Sequence, residues 1–341
     1  MRPARTLAAA LAQGPVVLDG GLSNQLEAQG CDLSDALWSA RLLADAPRQI
    51  QAAHAAYVRA GAQVLTTASY QATFEGFARR GLSHDEAARL LADSIQLARA
   101  AGELAQGDVD STGAGVVGEP GGGSGGGVGR GRGEGGAPRP PAQPPDLWVA
   151  ASIGPYGAFL ADGSEYRGRY GLSVRELERF HRPRIEALVA AGPDVLALET
   201  VPDADEAEAL LRAVEGCGVP VWLSYSVEGG RTRAGQDLGA AFGLVAGHEQ
   251  VIAVGVNCCT PADADRAVPL AASVTGKPVV VYPNSGERWD AKRRGWTGGS
   301  TFDAARVGDW VAAGARLVGG CCRVGPSGIA ELATAVRGRS A

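Results

Sequence analysis

The sequence predicts an α/β fold, a closed (β/α)8 TIM barrel. Eight short runs rich in valine, isoleucine and leucine alternate with Ala-rich segments of helical periodicity. The runs are almost continuously apolar, as is typical of parallel strands covered on both faces. At 59–67, 190–198 and 312–319 the chain passes from an Ala-rich end through a glycine, which can end a helix, into an apolar run. A doubly wound open sheet is the alternative fold.

The predicted elements alternate along the chain. The strands are predicted at 15–20, 63–69, 147–153, 195–200, 220–226, 251–257, 278–283 and 315–320. The helices are predicted at 47–60, 84–105, 173–191, 203–215, 238–248, 262–274, 302–313 and 326–337. Ser173 with Glu176 three residues later predicts a capping box, and Pro47 suits the first turn of a helix. The order of elements therefore predicts a single barrel domain over residues 1–341.

One segment departs from this alternation. Residues 107–145 contain fifteen glycines and almost no apolar side chains. Such a composition cannot bury enough surface to offset the entropy of ordering, so we expect a disordered Gly/Pro-rich insert before the third strand. The GxGxxG pattern at 121–126 has no strand before it and no helix after it, which argues against a dinucleotide site. About 300 residues remain without the insert, a usual size for one barrel.

Composition narrows the class of protein. A formal net charge of -5 argues against nucleic-acid binding, which needs a basic surface. No apolar run is long enough for a membrane span. The first residues faintly resemble a signal peptide but run almost directly into the first predicted strand. Six cysteines, four of them in two adjacent pairs, do not form a disulfide framework. We therefore expect a cytoplasmic protein whose partners are small molecules; its oligomeric state is left open.

Polar residues gather where the predicted strands end. In a barrel of this type the chemistry lies at the carboxyl ends of the strands. The residues at these ends are Asp19 to Gly21, Thr66 to Tyr70, Ser152 to Pro155, Glu199 and Thr200, Ser224 to Ser226, Asn257 to Cys259, Pro283 to Gly286, and Gly319 to Cys322. Because nearly every end carries polar or metal-binding groups, this rim is the predicted functional site.

Three cysteines at this rim predict a metal site. Cys258, Cys321 and Cys322 lie at strand ends, and three thiolates suit Zn²⁺ with a fourth position open for a substrate. Strand alternation turns Cys259 away from Cys258, so we expect Cys259 to pack in the core. The same alternation is a difficulty for Cys321 and Cys322, unless the glycines before them break the strand. Cys31 and Cys217, away from the rim, are expected to be packing residues.

Two carboxylates end strands one and four. Asp19 and Glu199 could be an acid–base pair, or could bind a substrate ammonium group while the amides of Gly20 and Gly21 receive a carboxylate. Asp19 could also cap the following helix. The four histidines all fall on or beside helical patterns, so none is assigned to catalysis. Chemistry that needs no general base fits this absence.

These residues together resemble the homocysteine S-methyltransferase family, which shares a zinc barrel with betaine–homocysteine methyltransferases and with cobalamin-dependent methionine synthase. The stretches that carry the resemblance are LDGG at 18–21, TASYQAT at 67–73, SIGPYGA at 152–158, LADGSEYRG at 160–168, LET at 198–200, GVNC at 255–258, VYPNSG at 281–286 and GGCCR at 319–323. The second to fourth of these are similar to the branch that uses S-methylmethionine. The 107–145 insert is outside the family pattern.

The resemblance implies an enzyme that methylates homocysteine to methionine on zinc bound by Cys258, Cys321 and Cys322. It implies that Asp19 and Glu199 bind the amino group of homocysteine; Gly20, Gly21 and Asn257 are counted with the substrate-binding residues. The implied donor is a sulfonium, S-methylmethionine or S-adenosylmethionine. Aromatic faces attract such cations, and the candidates near the rim are Tyr70, Tyr156, Tyr166 and Tyr282.

Other functions remain open from the sequence. The same barrel could take its methyl group from betaine or a methylcobalamin partner, although no appended cobalamin or folate domain is found. The chain could also be a zinc-binding or thiol-sensing protein without catalysis, or a hydrolytic barrel enzyme with an activated water. The pair of Asp19 and Glu199 argues against metal storage, which needs no clamp for an amino acid.

Overall fold

The structure is a computed structural model that describes residues 3–34, 37–113, 146–290 and 295–338. Residues 114–145, the greater part of the predicted insert, lie outside the described residues. The helix that precedes them is described from His84 to Gly113, seven residues into the predicted insert. The prediction of disorder from residue 114 onward stays a prediction.

Eight parallel strands form the central sheet, as predicted. They are β1 (Val16–Val17), β2 (Val64–Thr66), β3 (Trp148–Ile153), β4 (Val195–Val201), β5 (Val221–Tyr225), β6 (Val251–Asn257), β7 (Val279–Tyr282) and β8 (Ala315–Val318). Each lies within one residue of its predicted position or inside it. In the sheet β1 lies beside β8, and the order continues down to β2. Every pair within this sheet is parallel.

The two ends of the sheet meet, which decides between a barrel and an open sheet. Leu18 forms a parallel bridge to Val64. The Gln63 amide donates to the Val17 carbonyl at 2.8 Å, and the Asp19 amide donates to the Val64 carbonyl at 3.0 Å. These bonds connect β1 to β2 and close the ring. The (β/α)8 prediction is confirmed, and the open sheet is excluded.

Helices follow the strands around the outside of the barrel. The longer ones are Pro47–Arg59, His84–Gly113, Val174–Ala190, Ala204–Val214, Pro261–Thr275 and Pro326–Arg337, with shorter ones at Leu238–Gly243 and Val307–Ala312. Short helices that the sequence analysis did not predict cover Leu7–Gln13, Leu22–Ala28, Leu42–Asp45, Phe74–Ala78 and Tyr156–Leu160. The capping box of Ser173 and Glu176 is present. Among helices in the described ranges, none has the length and apolarity that a membrane crossing requires.

The core has an inner and an outer part because each strand faces both ways. Inward side chains, including Trp148, Trp222 and Leu317, fill the barrel, so its interior is packed. Leu7 and Leu11 of the N-terminal helix pack against this inner cluster. Outward side chains pack against the helices in a second, larger cluster. The filled interior leaves the loops after the strands as the place for a binding site.

Candidate metal centre and substrate site

The three predicted metal-binding cysteines meet at one point. The Sγ atom of Cys322 lies 3.7 Å from that of Cys258 and 4.0 Å from that of Cys321. All three Sγ atoms lie within 4.8 Å of one another. Zinc–sulfur bonds of about 2.3 Å at tetrahedral angles place sulfurs about 3.8 Å apart. The three thiols therefore fit one tetrahedral metal ion, with one position left for a fourth ligand.

The turn after β8 explains how two neighbouring cysteines face the same point. The strand ends at Val318, and the Cys321 amide donates to the Pro283 carbonyl at 2.8 Å. A turn follows in which the Val324 amide donates to the Cys321 carbonyl at 3.1 Å. A Cβ atom on Gly320 would lie only 2.3 Å from Val324, so this path admits glycine alone. The alternation of a regular strand therefore no longer applies at the two cysteines.

Cys258 reaches the cluster through an unusual backbone conformation. Its φ is 51°, in the left-handed region that side-chain-bearing residues rarely adopt. The Cys258 amide donates to the Tyr282 carbonyl at 3.3 Å, which fixes the turn at the end of β6. Cys259 is buried in the outer core cluster instead. Strained backbone at a functional site is a recurrent feature of proteins, and here it separates the two adjacent thiols.

The three thiols share their protons unequally. The pKa of Cys258 lies well below its usual range, chiefly because Cys321 and Cys322 donate hydrogen bonds to its sulfur. The pKa values of Cys321 and Cys322 are raised, first by their hydrogen bonds to Cys258. Three anions this close repel one another, so a cation is needed to hold all three as thiolates. A soft or borderline divalent metal ion meets that need.

The two predicted carboxylates lie at the same rim, buried and hydrogen-bonded. Asp19 Oδ2 accepts from the Thr66 amide at 2.8 Å, and its Oδ1 accepts from the Thr66 hydroxyl at 2.9 Å. Glu199 accepts from the Ser152 hydroxyl and, at 2.9 Å, from the Tyr282 hydroxyl. Asp19 caps no helix: the helix Leu22–Ala28 begins after Gly21 without a side-chain cap.

Burial shifts both carboxylates toward neutral pH. It raises the pKa of Asp19 to about 8, against hydrogen bonds from Thr66 that lower it and with a smaller contribution from the charge of Glu199. Burial likewise raises the pKa of Glu199 to about 7, against hydrogen bonds from Ser152 and Tyr282. A positively charged group bound near these two buried acids would stabilise their ionised forms, because an opposite charge favours the carboxylate.

The other predicted substrate-binding residues, Gly20, Gly21 and Asn257, differ in their hydrogen bonds. The Gly21 amide donates to the Val324 carbonyl at 3.0 Å, and its binding of a substrate carboxylate stays a prediction. The Gly20 amide makes no hydrogen bond to any residue the structure describes. Asn257 is fully buried: its side chain bonds the Thr200 amide, the Thr200 hydroxyl and the Ser224 hydroxyl. Asn257 thus positions the chain next to Glu199.

The four tyrosines proposed for the donor separate into three environments. The Tyr166 hydroxyl lies 3.3 Å from Cys258 Sγ, and Tyr70 lies within electrostatic reach of Cys258 and Glu199. Tyr282 lies inside the barrel with its hydroxyl bonded to Glu199. Tyr156 packs with other aromatic rings, Phe159, Tyr170 and Phe180, at centroid distances of 4.8 to 5.6 Å. Tyr70 and Tyr166 are therefore the two that the structure brings to the cysteines.

Some residues of the site were given no individual role in the sequence analysis. Thr66 and Ser152 hold the two carboxylates, and Arg233 places its guanidinium 5.5 Å above the Tyr166 ring. Glu165, next to Tyr166, is buried, and it stands in a motif that was noted. The strand-end rule placed Thr66 and Ser152 at the rim but did not give their partners. Arg233 and Glu165 lie in segments between the barrel strands, whose path the sequence does not give.

Comparison with known proteins decides the family. The family model for homocysteine S-methyltransferase matches residues 16–336, which is nearly the whole chain. The chain belongs to the homocysteine S-methyltransferase family. The match begins at β1 and ends in the last helix, so it includes every strand and all three clustered cysteines.

Individual members of the family agree with this assignment. The chain is 42% identical over 339 residues to homocysteine S-methyltransferase 4 of Zea mays, covering 96% of this chain and 90% of that protein. It is 41% identical over 326 residues to the homocysteine S-methyltransferase of Escherichia coli, covering 94% of each. A crystal structure of the Escherichia coli homocysteine methyltransferase MmuM in its metallated form superimposes with a TM-score of 0.78 at 39% identity. That comparison covers 96% of this chain and 98% of the other.

Proposed function

We propose that this chain, as one barrel domain, transfers a methyl group from a sulfonium donor to the thiolate of L-homocysteine at a zinc ion held by Cys258, Cys321 and Cys322. Membership of the family makes it an enzyme, a homocysteine S-methyltransferase. The observation that carries the proposal is the pairing, at one barrel rim, of three converging thiols with two buried carboxylates. The thiols suit a metal, and the carboxylates suit an amino group.

The donor set supports zinc. Three sulfur ligands with tetrahedral spacing and an open position are the arrangement of catalytic rather than structural zinc sites. When bound, zinc would lower the pKa of a coordinated thiol and so supply the thiolate form of homocysteine at neutral pH. The rest of the chemistry falls to residues of the chain itself.

Asp19 and Glu199 orient the substrate. Their carboxylates accept hydrogen bonds from the ammonium group of homocysteine, and the pKa of each falls when that cation binds, since opposite charges favour the ionised form. Thr66 and Tyr282 hold the two carboxylates in place. The Gly20 amide is directed to the substrate carboxylate. Fixing the amino acid at three points aims its sulfur toward the cysteines, and such positioning is a major source of rate enhancement.

The transfer itself needs no proton acceptor. The homocysteine sulfur forms a bond to the methyl carbon while the bond between that carbon and the donor sulfur breaks, and its electron pair stays on the donor sulfur. The sulfonium leaves as a neutral thioether, and homocysteine becomes methionine. Opposite charges are neutralised in this step, so exclusion of water favours it. This agrees with the positions of His54 and His181, which are fully buried on the helices Pro47–Arg59 and Val174–Ala190.

S-methylmethionine is proposed as the preferred donor, because the stretches at 67–73, 152–158 and 160–168 resemble the branch of the family that uses it. With this donor both products are methionine. S-adenosylmethionine is the second candidate, and betaine would require a different cation pocket. The six cysteines are all free thiols, so we propose a reducing compartment, the cytoplasm.

The test is purification under reducing conditions with metal analysis, followed by a donor screen with homocysteine. We expect about one zinc per chain, and methionine formed faster with S-methylmethionine than with S-adenosylmethionine or betaine. Formation of methionine only with betaine would overturn the proposed donor. Tight zinc binding without homocysteine-dependent transfer from any donor would show a metal-binding protein instead and would overturn the proposed function.

A further inference from the structure

Glu165 is a buried acid with an unsatisfied oxygen. It lies in the single-turn helix Ser164–Tyr166 and is only 8% exposed. Its Oε2 atom is shielded from solvent and has no hydrogen-bond partner among the described residues. A buried carboxylate oxygen without a hydrogen-bond partner destabilises the folded protein, and the effect is larger when the carboxylate is charged. A ligand that brings a positive charge to this oxygen would remove that destabilisation.

Glu165 stands next to a residue that contacts the cysteine cluster. That residue, Tyr166, places its hydroxyl 3.3 Å from Cys258 Sγ. Burial raises the pKa of Glu165, and the negative charge of Cys258 raises it further. Burial also raises the pKa of Tyr70, and the charges of Cys258 and Glu165 raise it further. Tyr70, Glu165 and Tyr166 therefore lie within electrostatic or contact range of Cys258, and we call these three residues the Glu165 subsite.

The packing of the loop fixes this arrangement. A Cβ atom on Gly157 would lie 2.3 Å from the Glu165 amide nitrogen, so the backbone at Glu165 rests directly on the helix Tyr156–Leu160. The Ser164 amide donates to Asp162 Oδ1 at 3.0 Å and tightens the turn that leads into Glu165. These contacts hold the backbone at Glu165 closely.

The subsite combines a carboxylate with tyrosine rings, a combination that suits a sulfonium. A sulfonium carries its charge on sulfur and its methyl groups and has no N–H or O–H. A carboxylate supplies the opposite charge, and the tyrosine rings supply the faces that attract such cations. The ammonium of homocysteine already has Asp19 and Glu199. Arg233, the nearby positive group, is paired at 3.0 Å with Glu228, so it does not neutralise Glu165 directly.

We propose that Glu165 binds the sulfonium centre of the methyl donor, with Tyr70 and Tyr166 forming the walls of that subsite. The inference rests on the proposed function, since it names how the donor is recognised in the same site. Glu165 is thus a binding and specificity residue: it separates a charged donor from uncharged thioethers of the same shape. Because the methionine product is such a thioether, the same contrast favours its release.

The effect on kinetics follows from how the charge changes during the reaction. The donor is positively charged when it binds and loses charge as the methyl group leaves. A fixed carboxylate therefore stabilises the bound donor more than the transition state. Removing the charge of Glu165 is expected to raise the KM for the sulfonium donor while kcat stays unchanged or rises slightly.

The experiment compares a cation with its uncharged isostere. Zinc-loaded wild type, Glu165→Gln and Glu249→Gln are measured for the KM of S-methylmethionine, the KM of homocysteine and the inhibition constant of 2-amino-5-methylhexanoic acid, in which CH replaces the sulfonium sulfur. Glu249→Gln is the matched control, since it makes the same change of side chain at an exposed position outside the site. We expect Glu165→Gln to raise the S-methylmethionine KM by about 10- to 100-fold. In the same variant the KM of homocysteine and the inhibition constant of the isostere should change less than about twofold. In the control variant all three constants should change less than about twofold.

The contrary outcomes are distinct. If Glu165→Gln weakens the binding of S-methylmethionine and of the isostere equally, Glu165 binds the ammonium group that the two share, and the proposal is overturned. An unchanged KM for S-methylmethionine would also overturn the proposal. If Glu165→Gln loses zinc or fails to fold, Glu165→Asp keeps the charge on a shorter side chain. Glu165→Asp should weaken the binding of S-methylmethionine but not that of the isostere. Weaker binding of both ligands would again overturn the proposal. Wild-type protein that transfers no methyl group from any sulfonium would instead refute the proposed function.

Discussion

The hydroxyl of Tyr282 donates a 2.9 Å hydrogen bond to Oε2 of Glu199. It also bonds the Ser224 hydroxyl at 2.8 Å and accepts from the Trp222 indole at 3.2 Å. A network of hydrogen bonds thus connects side chains in the barrel interior to one of the two carboxylates at the rim. Tyr282 lowers the pKa of Glu199 against the effect of burial and so favours the charged form that an ammonium needs.

Replacing Tyr282 by Phe tests this relationship. Without the hydroxyl the pKa of Glu199, already raised to about 7, should rise further. We expect the KM for homocysteine to increase about tenfold, the effect of losing one hydrogen bond to a charged group. The increase should be larger at pH 6.5 than at pH 8.5, where Glu199 is ionised in both proteins. Tyr225→Phe is the control, because that hydroxyl donates to the Ala241 carbonyl and not to Glu199. An equal effect in both variants would show a general loss of stability.

Metal analysis should distinguish the three clustered cysteines from Cys259, the neighbour of Cys258. Serine at Cys258, Cys321 or Cys322 removes one of three ligands, so we expect zinc content and methyl transfer to be lost together. Cys259→Ala should keep its zinc, since that thiol packs in the outer core. The measurements are metal content after dialysis and initial rates. Full activity in a metal-free Cys321→Ala protein would contradict the mechanism.

The buried carboxylates predict a pH-dependent stability. Burial raises the pKa of Asp19 from its usual 3.8 to about 8, so between these values the folded protein holds a proton that the unfolded chain has lost. Stability should therefore fall as pH rises through this range. Asp19→Asn removes the effect: without homocysteine, we expect its melting temperature to exceed that of wild type by several degrees at pH 8. The two proteins should converge near pH 4. A variant less stable than wild type at pH 8 would show that Asp19 is ionised without substrate.

The segment 114–145 is expected to be dispensable. Its composition offers almost nothing to a core, and in the sequence it follows the helix His84–Gly113 and precedes the first residue of β3. Replacement by a short Gly/Ser linker should leave kcat/KM for both substrates within about twofold, since the entropy of closing a loop changes only slowly with its length. The control is the same linker inserted without deletion. A collapse in turnover on deletion alone would show that the segment contributes to the site.

The clustered cysteines illustrate how far residue order alone leads. Strand ends and residue type were enough to select Cys258, Cys321 and Cys322, because a barrel brings every carboxyl end to one rim. The same rule selected Asp19 and Glu199. It did not reveal that the Gly21 amide donates to the Val324 carbonyl, or that Tyr156 packs in a separate aromatic cluster. Contacts of this kind depend on residues from distant loops, and the spacing of residues in the sequence does not reveal them.

The sequence by itself determined the alternation of eight strands and helices and the chemistry available at their ends, since both depend on local periodicity and residue type. The tertiary structure alone decided the closure of the sheet between Leu18 and Val64, and the left-handed turn at Cys258. It also decided the turn that lets Cys321 and Cys322 face one ion, and the burial of Glu165 beside them. Each of these depends on contacts between residues far apart in the chain, which form only when the whole barrel has closed.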